Sequence, residues 1–251
     1  MLPGYIAGKY THDVCYIDLK QLCTFAKIEL ITEEVVNIDI LNKLVYLLSA
    51  ANVLPVSYDV LSINIGSRPK AILAITTCQQ VIPVKPIDAF SIKWNQLLNK
   101  IIDRNDESIY TLAVVGGGAG GCELTFAVQY RIRQELLKHG RNPDSVKIVL
   151  LTRSSTLLPS HNRYILALNK FAFIVYDSYM HVCYYSEAGV IAARIMTQKG
   201  IQVIYNTDVV KAETQSDDTC LLYTLDGGSV HVNSVLWCVE VSLSIVCIYL
   251  R

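Results

Sequence analysis

The sequence predicts an α/β fold organised around a parallel sheet, on three observations. A continuous apolar run at residues 109–115 (IYTLAVV) suits a strand buried on both faces. Gly116-Gly117-Gly118-Ala119-Gly120-Gly121 follows at once, and a helical pattern then runs over residues 123–139. A second buried strand expected at residues 146–151 continues the alternation of strand and helix that belongs to parallel sheets.

Composition bounds the rest. The chain has 251 residues, room for one large domain or two small ones at roughly 100–200 residues each. Lys and Arg total 22 and Asp and Glu total 22, so the net charge is zero and the electrostatic case for nucleic acid is absent. Apolar residues make up 52% and charged residues 18%, which excludes general disorder and predicts a surface poor in charge. No run reaches the roughly 18 apolar residues of a membrane span; Glu240 interrupts the nearest, at 235–250. Met1-Leu2-Pro3-Gly4 lacks the basic and apolar regions of a secretory leader. The eight cysteines form neither CxxC nor CxxxxC, so reduced thiols in an intracellular compartment are expected. His12, His139, His161, His181 and His231 are scattered and pair with nothing at metal-ligand spacing. There is no G-x-S-x-G elbow and no Walker A motif.

Taken in order, the first hundred residues predict short strands at 26–32, 35–39, 45–48 and 60–65, the last ending at Gly66-Ser67. Pro83 and Pro86 bracket an expected linker. Phe90, Trp94, Leu97, Leu98 and Ile101 share one face of a helix over 87–103. After the strand at 109–115 and the helix at 123–139, Gly140 stops the helix and Pro143 lies just beyond. Residues 188–199 predict a further helix closed by Gly200, and 201–205 a strand. Residues 209–214 and 220–225 read as a strand pair. Asp226-Gly227-Gly228 then turns the chain into 230–232, and 235–237 is the last strand. Residues 164–187 carry seven aromatics between a strand and a helix that a short connection usually joins, so a poorly packed surface excursion is expected there.

The glycines satisfy GxGxxG at Gly116, Gly118 and Gly121, between an apolar strand and a helix. Gly116 permits the tight turn, Gly118 lets backbone approach a pyrophosphate, and Gly121 lets the helix pack on the strand. The helix N-terminus then offers unpaired N–H groups and partial positive charge to phosphates. The second strand ends Leu150-Leu151-Thr152-Arg153-Ser154-Ser155, with no acid where NAD-preferring sites place one. Arg153 and its hydroxyl neighbours suit a 2′-phosphate; the alternative is a plain polar loop.

With these residues the chain resembles the FAD-dependent pyridine nucleotide-disulfide oxidoreductases. VVGGGAGGCEL at 114–124 looks like their nicotinamide-binding motif. More narrowly, it resembles the branch related to type II NADH dehydrogenases, including members fused to selenide, water dikinase. MLPGYIAGKYTHD (1–13), YDVLSINIGS (58–67), IPVKPIDAF (82–90), LLTRSSTLLP (150–159), GIQVIYNTDVV (200–210) and VLW (235–237) carry the rest of the match. The resemblance implies two nested dinucleotide-binding domains, with a Rossmann-like NAD(P) domain inserted in an FAD domain. It implies FAD and NAD(P)H as cofactors. It places Gly116, Gly117, Gly118, Ala119, Gly120, Gly121, Glu123, Thr152 and Arg153 at the nicotinamide dinucleotide, and Ile65, Gly66 and Ser67 at FAD.

The departures from the family are equally specific. The family opens with its own βαβ unit and GxGxxG for the FAD pyrophosphate, and this sequence starts after that point. A Thr-Gly turn follows the family's last strand, where Trp237 here runs into Cys238-Val239-Glu240. Residues 164–187 interrupt a connection that is continuous in the family. The expectation is therefore a truncated and interrupted chain: part of an FAD domain at 1–103, an NAD(P) domain at 104–238 with a non-native insert at 164–187, and an aberrant tail at 239–251. The expected activity passes hydride from nicotinamide to flavin and on to a quinone or other acceptor, with no side chain needed as a proton-transfer catalyst. The alternative is a non-catalytic nucleotide-binding remnant.

Overall fold

The computed structural model describes residues 1–48, 54–64, 67–69, 75, 77–106, 108–159, 187–239 and 241–243. The chain divides into two compact units: Met1–Thr11 with Pro69–Val241, and His12–Arg68 with Ser242–Arg251.

Along the chain, helix α1 (Leu2–Ile6) precedes the smaller unit. That unit contains α2 (His12–Cys15), α3 (Leu19–Ala26), β1 (Val35–Asp39), β2 (Leu44–Leu47) and β3 (Val56–Ser57), followed by β4 (Ser67–Pro69) at its exit. Strands β1, β2 and β3 form an antiparallel sheet in that order. The strand expected at 26–32 is not formed. The Asp18 carboxylate instead accepts from the N–H groups of Lys20 and Gln21 and starts α3, while Lys27 closes it in the left-handed conformation. The strand expected at 60–65 is also absent over 60–64, where Val60 is 89% exposed and no neighbouring strand pairs with it among the described residues. Ile65 and Gly66 lie outside the described residues.

The larger unit is built on a five-stranded, fully parallel sheet. Its strands are β5 (Val81–Pro83), β6 (Tyr110–Val115), β7 (Val146–Leu151), β8 (Gln202–Ile204) and β12 (Ser234–Trp237). Their order across the sheet is β5-β12-β6-β7-β8. Strand β5 occupies the stretch expected to be a linker. Proline is tolerated there because β5 is an edge strand and Pro83 is its last residue.

Alternate residues of the central strands supply two cores. Leu112, Val114, Ile148, Leu150 and Leu236 face the helices α4 (Ile87–Ile102), α5 (Ala119–Lys138) and α6 (Glu187–Gln198). Phe90, Trp94, Leu98, Ile101, Leu124, Val128, Ile132 and Met196 come from those helices, with Ile6 from α1. Ala113, Val115, Val149, Leu151, Val235 and Trp237 face an antiparallel meander of β9 (Val209–Thr214), β10 (Cys220–Thr224) and β11 (Ser229–Val232). This double coverage explains why Leu112–Val115 of β6 and Ile148–Leu151 of β7 are continuously apolar. Helix α5 starts four residues before the sequence pattern suggested. Residues 160–186, which include nearly all of the expected insert, lie outside the described residues, and Glu187 opens α6. Of the expected tail, Val239 and β13 (Val241–Leu243) are described.

Candidate functional site

The order β12-β6-β7 fixes the site. The chain leaves β6, returns through α5 to β7 on one side, and places β12 on the other side of β6. Strand order therefore reverses at β6, and ligands of open α/β sheets bind beyond the carboxyl ends of the strands at such a point. A cavity of about 570 Å3 lies there. Its walls include Gly116, Gly117 and Gly118 after β6, Thr152, Arg153 and Ser154 after β7, and Trp237 and Cys238 at the end of β12. Thr207–Val210, ahead of and into β9, close the remaining side.

The backbone ladder continues into the turn. The Gly116 N–H donates to the Leu151 carbonyl at 2.8 Å and the Cys238 N–H to the Val115 carbonyl at 2.8 Å. Gly116 has φ +126°, a conformation side chains rarely adopt, and a Cβ there would stand 2.7 Å from the Cys238 carbonyl oxygen. A Cβ on Gly121 would overlap the Gly116 carbonyl oxygen, so the first turn of α5 sits directly on the loop. Gly118 differs. It is the N-cap of α5 in extended conformation, and a Cβ built on it meets nothing within 4 Å. The same holds for Gly120. The backbone at these two positions is bare toward open space, beside the first N–H groups of α5, which have no intrahelical acceptor. A pyrophosphate fits such a cradle.

Thr152 is buried and is held from both sides: its N–H donates to the Ile204 carbonyl at 3.0 Å and its carbonyl accepts from Thr207 at 2.8 Å. Arg153 is exposed at the rim, with Ser154 beside it half-buried. Glu123 is exposed one turn into α5, away from the cavity lining. Ser67 falls in β4. The turn and the end of β7 are thus brought together, while Glu123 stands outside the lining. The sequence motif does not single out Trp237 and Cys238, whose place depends on β12 pairing with β6 in the register Trp237↔Val115, or Thr207–Val210, which the Thr207 N–H ties to the Thr152 carbonyl.

Both thiols beside the turn are suppressed. Burial pushes Cys122 up to about 11, with the nearby Glu123 charge adding to the effect. Burial likewise raises Cys238 to about 12, with Cys122 contributing. Neither is a thiolate near neutral pH, so the crevice is equipped to bind rather than to attack. No group of three His, Cys, Asp or Glu able to hold a metal occurs among the described residues. No helix among them is long and apolar enough to cross a membrane.

These features define an α/β chain with a crevice of the doubly wound class at its sheet reversal. The chain belongs to the pyridine nucleotide-disulphide oxidoreductase family, whose model matches residues 20–247. No curated protein matches it. Among solved structures it is similar to putidaredoxin reductase in its covalent complex with putidaredoxin, at 16% identity and TM-score 0.65, covering 96% of this chain and 48% of that one. It is similar to an NAD-dependent persulfide reductase from A. fulgidus, at 16% identity and TM-score 0.65, covering 96% and 38%. A water-forming NADH oxidase from Lactobacillus brevis bound to NADH gives 15% identity and TM-score 0.64, covering 96% and 44%. The shared fold is that of the flavoprotein reductases with two dinucleotide-binding domains. The chain spans under half the length of each of these solved chains.

Proposed function

We propose that this chain carries the nicotinamide dinucleotide site of an FAD-dependent NAD(P)H oxidoreductase of the type II NADH dehydrogenase-like branch. The observation that carries the reading is the bare backbone at Gly118, on the wall of the crevice where the sheet order reverses. On this reading the NAD(P) domain is residues 104–238 together with β5 and α4, which complete its sheet and core, and part of the FAD domain lies within residues 1–103, with Ile65, Gly66 and Ser67 at the flavin dinucleotide. Gly116 and Gly117 shape the turn. The N–H groups of Ala119, Gly120 and Gly121 bind the pyrophosphate. Thr152 and Arg153 bind the adenosine ribose, and the Arg153 guanidinium accommodates a 2′-phosphate, giving tolerance of NADPH. Glu123 contributes its charge near the start of α5.

A bound flavin would supply the two-electron acceptor for the nicotinamide hydride, and we infer that the final acceptor would be quinone-like. The protein's own part is to bind and orient. The apolar ends of β6, β7 and β12, Val115, Leu151 and Trp237, form a floor that excludes water from the bound ring.

The test is spectroscopic and catalytic. The purified chain is expected to show a bound-flavin absorption band and to oxidise NADH or NADPH with a soluble quinone. A chain that binds dinucleotide but holds no flavin after supplementation with FAD supports the non-catalytic alternative instead.

A further inference from the structure

Cys78 and Cys220 lie far apart in the chain, yet their sulfurs are 3.5 Å apart. Cys78 sits in the turn leading to β5, where its N–H donates to the Ile75 carbonyl at 3.2 Å and its carbonyl accepts from Val81 at 3.1 Å. Cys220 opens β10, the middle strand of the meander, and pairs in register with Thr214 and Val232. Both belong to the apolar cluster between the meander and the parallel sheet. Cys220 has no solvent-exposed surface and Cys78 is 5% exposed, so Cys78 is the sulfur that a small reagent meets.

We propose that Cys78 and Cys220 are a modification site: a hydroperoxide converts them to a disulfide that ties the turn before β5 to β10. A disulfide requires an S–S separation of about 2.05 Å, so the two sulfurs close by roughly 1.5 Å through rotation of their side chains. Closure leaves no buried acceptor unpaired. Cys78 Sγ donates to Gln80 Oε1 at 3.3 Å, but the same oxygen also accepts from the Thr214 hydroxyl at 2.7 Å and keeps that bond.

The chemistry balances with one hydroperoxide per bridge. The Cys78 sulfur attacks the peroxide oxygen, giving a sulfenic acid and releasing the alcohol, or water if the oxidant is hydrogen peroxide. The Cys220 sulfur then displaces hydroxide from the sulfenic sulfur. The S–S bond forms, and the second thiol proton leaves with the hydroxide as water. Burial raises the Cys220 thiol to about 12, with Cys78 adding, so the second step is slow at neutral pH and accelerates in alkali. Neither cysteine lines the crevice, so the inference stands independently of the dinucleotide reading.

The full chain is treated with hydrogen peroxide, unfolded, alkylated and mapped by mass spectrometry without reductant. The expected result is a linked peptide pair containing Cys78 and Cys220, lighter by two hydrogens and released by dithiothreitol. Cys78→Ser and Cys220→Ala each remove it. Recovery of both cysteines as alkylated thiols, or of Cys78 as sulfinic acid with Cys220 alkylated, overturns the proposal.

Discussion

Replacing Gly118 by Val places a branched side chain over the bare backbone at the start of α5. Gly118 is extended, at φ −76° and ψ −179°, and a Cβ there meets no atom within 4 Å. The free protein therefore accommodates the substitution. Its cost is that of a poorer N-cap, about 1 kcal/mol, which lowers Tm by roughly 2–4 °C in a chain of this size. The bound state does not accommodate it, because the valine methyls occupy the space the pyrophosphate needs. Losing two N–H bonds to charged oxygens at about 1.5–3 kcal/mol each removes about 3–6 kcal/mol, a roughly hundredfold or greater rise in Kd. Gly121→Ala is the contrasting case. Its Cβ overlaps the Gly116 carbonyl oxygen, so the substitution forces α5 off the loop and costs about 1–3 kcal/mol or more in overpacking. Fluorescence titration with NADH and NADPH, paired with thermal melts, separates the two effects. Unchanged affinity in Gly118→Val, or a Gly121→Ala chain as stable as the parent, refutes the reasoning.

Arg153→Ala is expected to weaken NADPH binding by about 1.5–3 kcal/mol, the worth of a hydrogen bond to a charged group, and to leave NADH nearly unchanged; equal effects on both would make the loop a plain polar one. Trp94→Ala empties a fully buried site between the helices and the sheet, at a cost of about 3–5 kcal/mol. A melt within a degree or two of the parent would contradict that packing. The hydrogen bond from the Lys100 ammonium to Asp218, 2.8 Å long, holds the Asp218 carboxyl below its ordinary 3.8. A depressed folded-state value gives stabilisation that is present above the unfolded value and lost as pH falls through the folded one. Both side chains are at least half exposed, so Lys100→Ala, which removes this pair and keeps the Gln80 bond to Asp218, should cost only about 0.2–1 kcal/mol near pH 6. Urea melts should show that difference shrinking at strongly acid pH, and a deficit that grows in acid would reverse the sign of the argument.

The centre of this fold was legible because its signals are local. Residues 110–115 alternate between two covered faces, so apolar side chains fill both and Thr111 is the one hydroxyl residue among them besides Tyr110, and the glycines and α5 follow within the same short stretch. The start of α5 is hidden in the sequence because Gly120 and Gly121 have poor helix propensity, yet both sit in its first turn, where close approach to Gly116 selects glycine at 121. The first hundred residues were less legible. Residues 26–32 and 60–65 are apolar enough for strands, but a strand needs a partner that local composition does not reveal. Strand β5 was hidden by Pro83, whose tolerance depends on an edge position set by β12. The same non-local pairing brings Trp237 and Cys238 to the crevice, which is why half of its wall could not be read from the motif.

Amide hydrogen exchange with and without saturating NADH tests the central claim most directly, because it locates the ligand on the chain. The account predicts slowed exchange at Gly116–Cys122 and at Thr152–Ser154, with Pro143–Lys147 at the opposite ends of the strands unchanged. Protection confined to other segments, or none at a dinucleotide concentration that saturates binding, would contradict it.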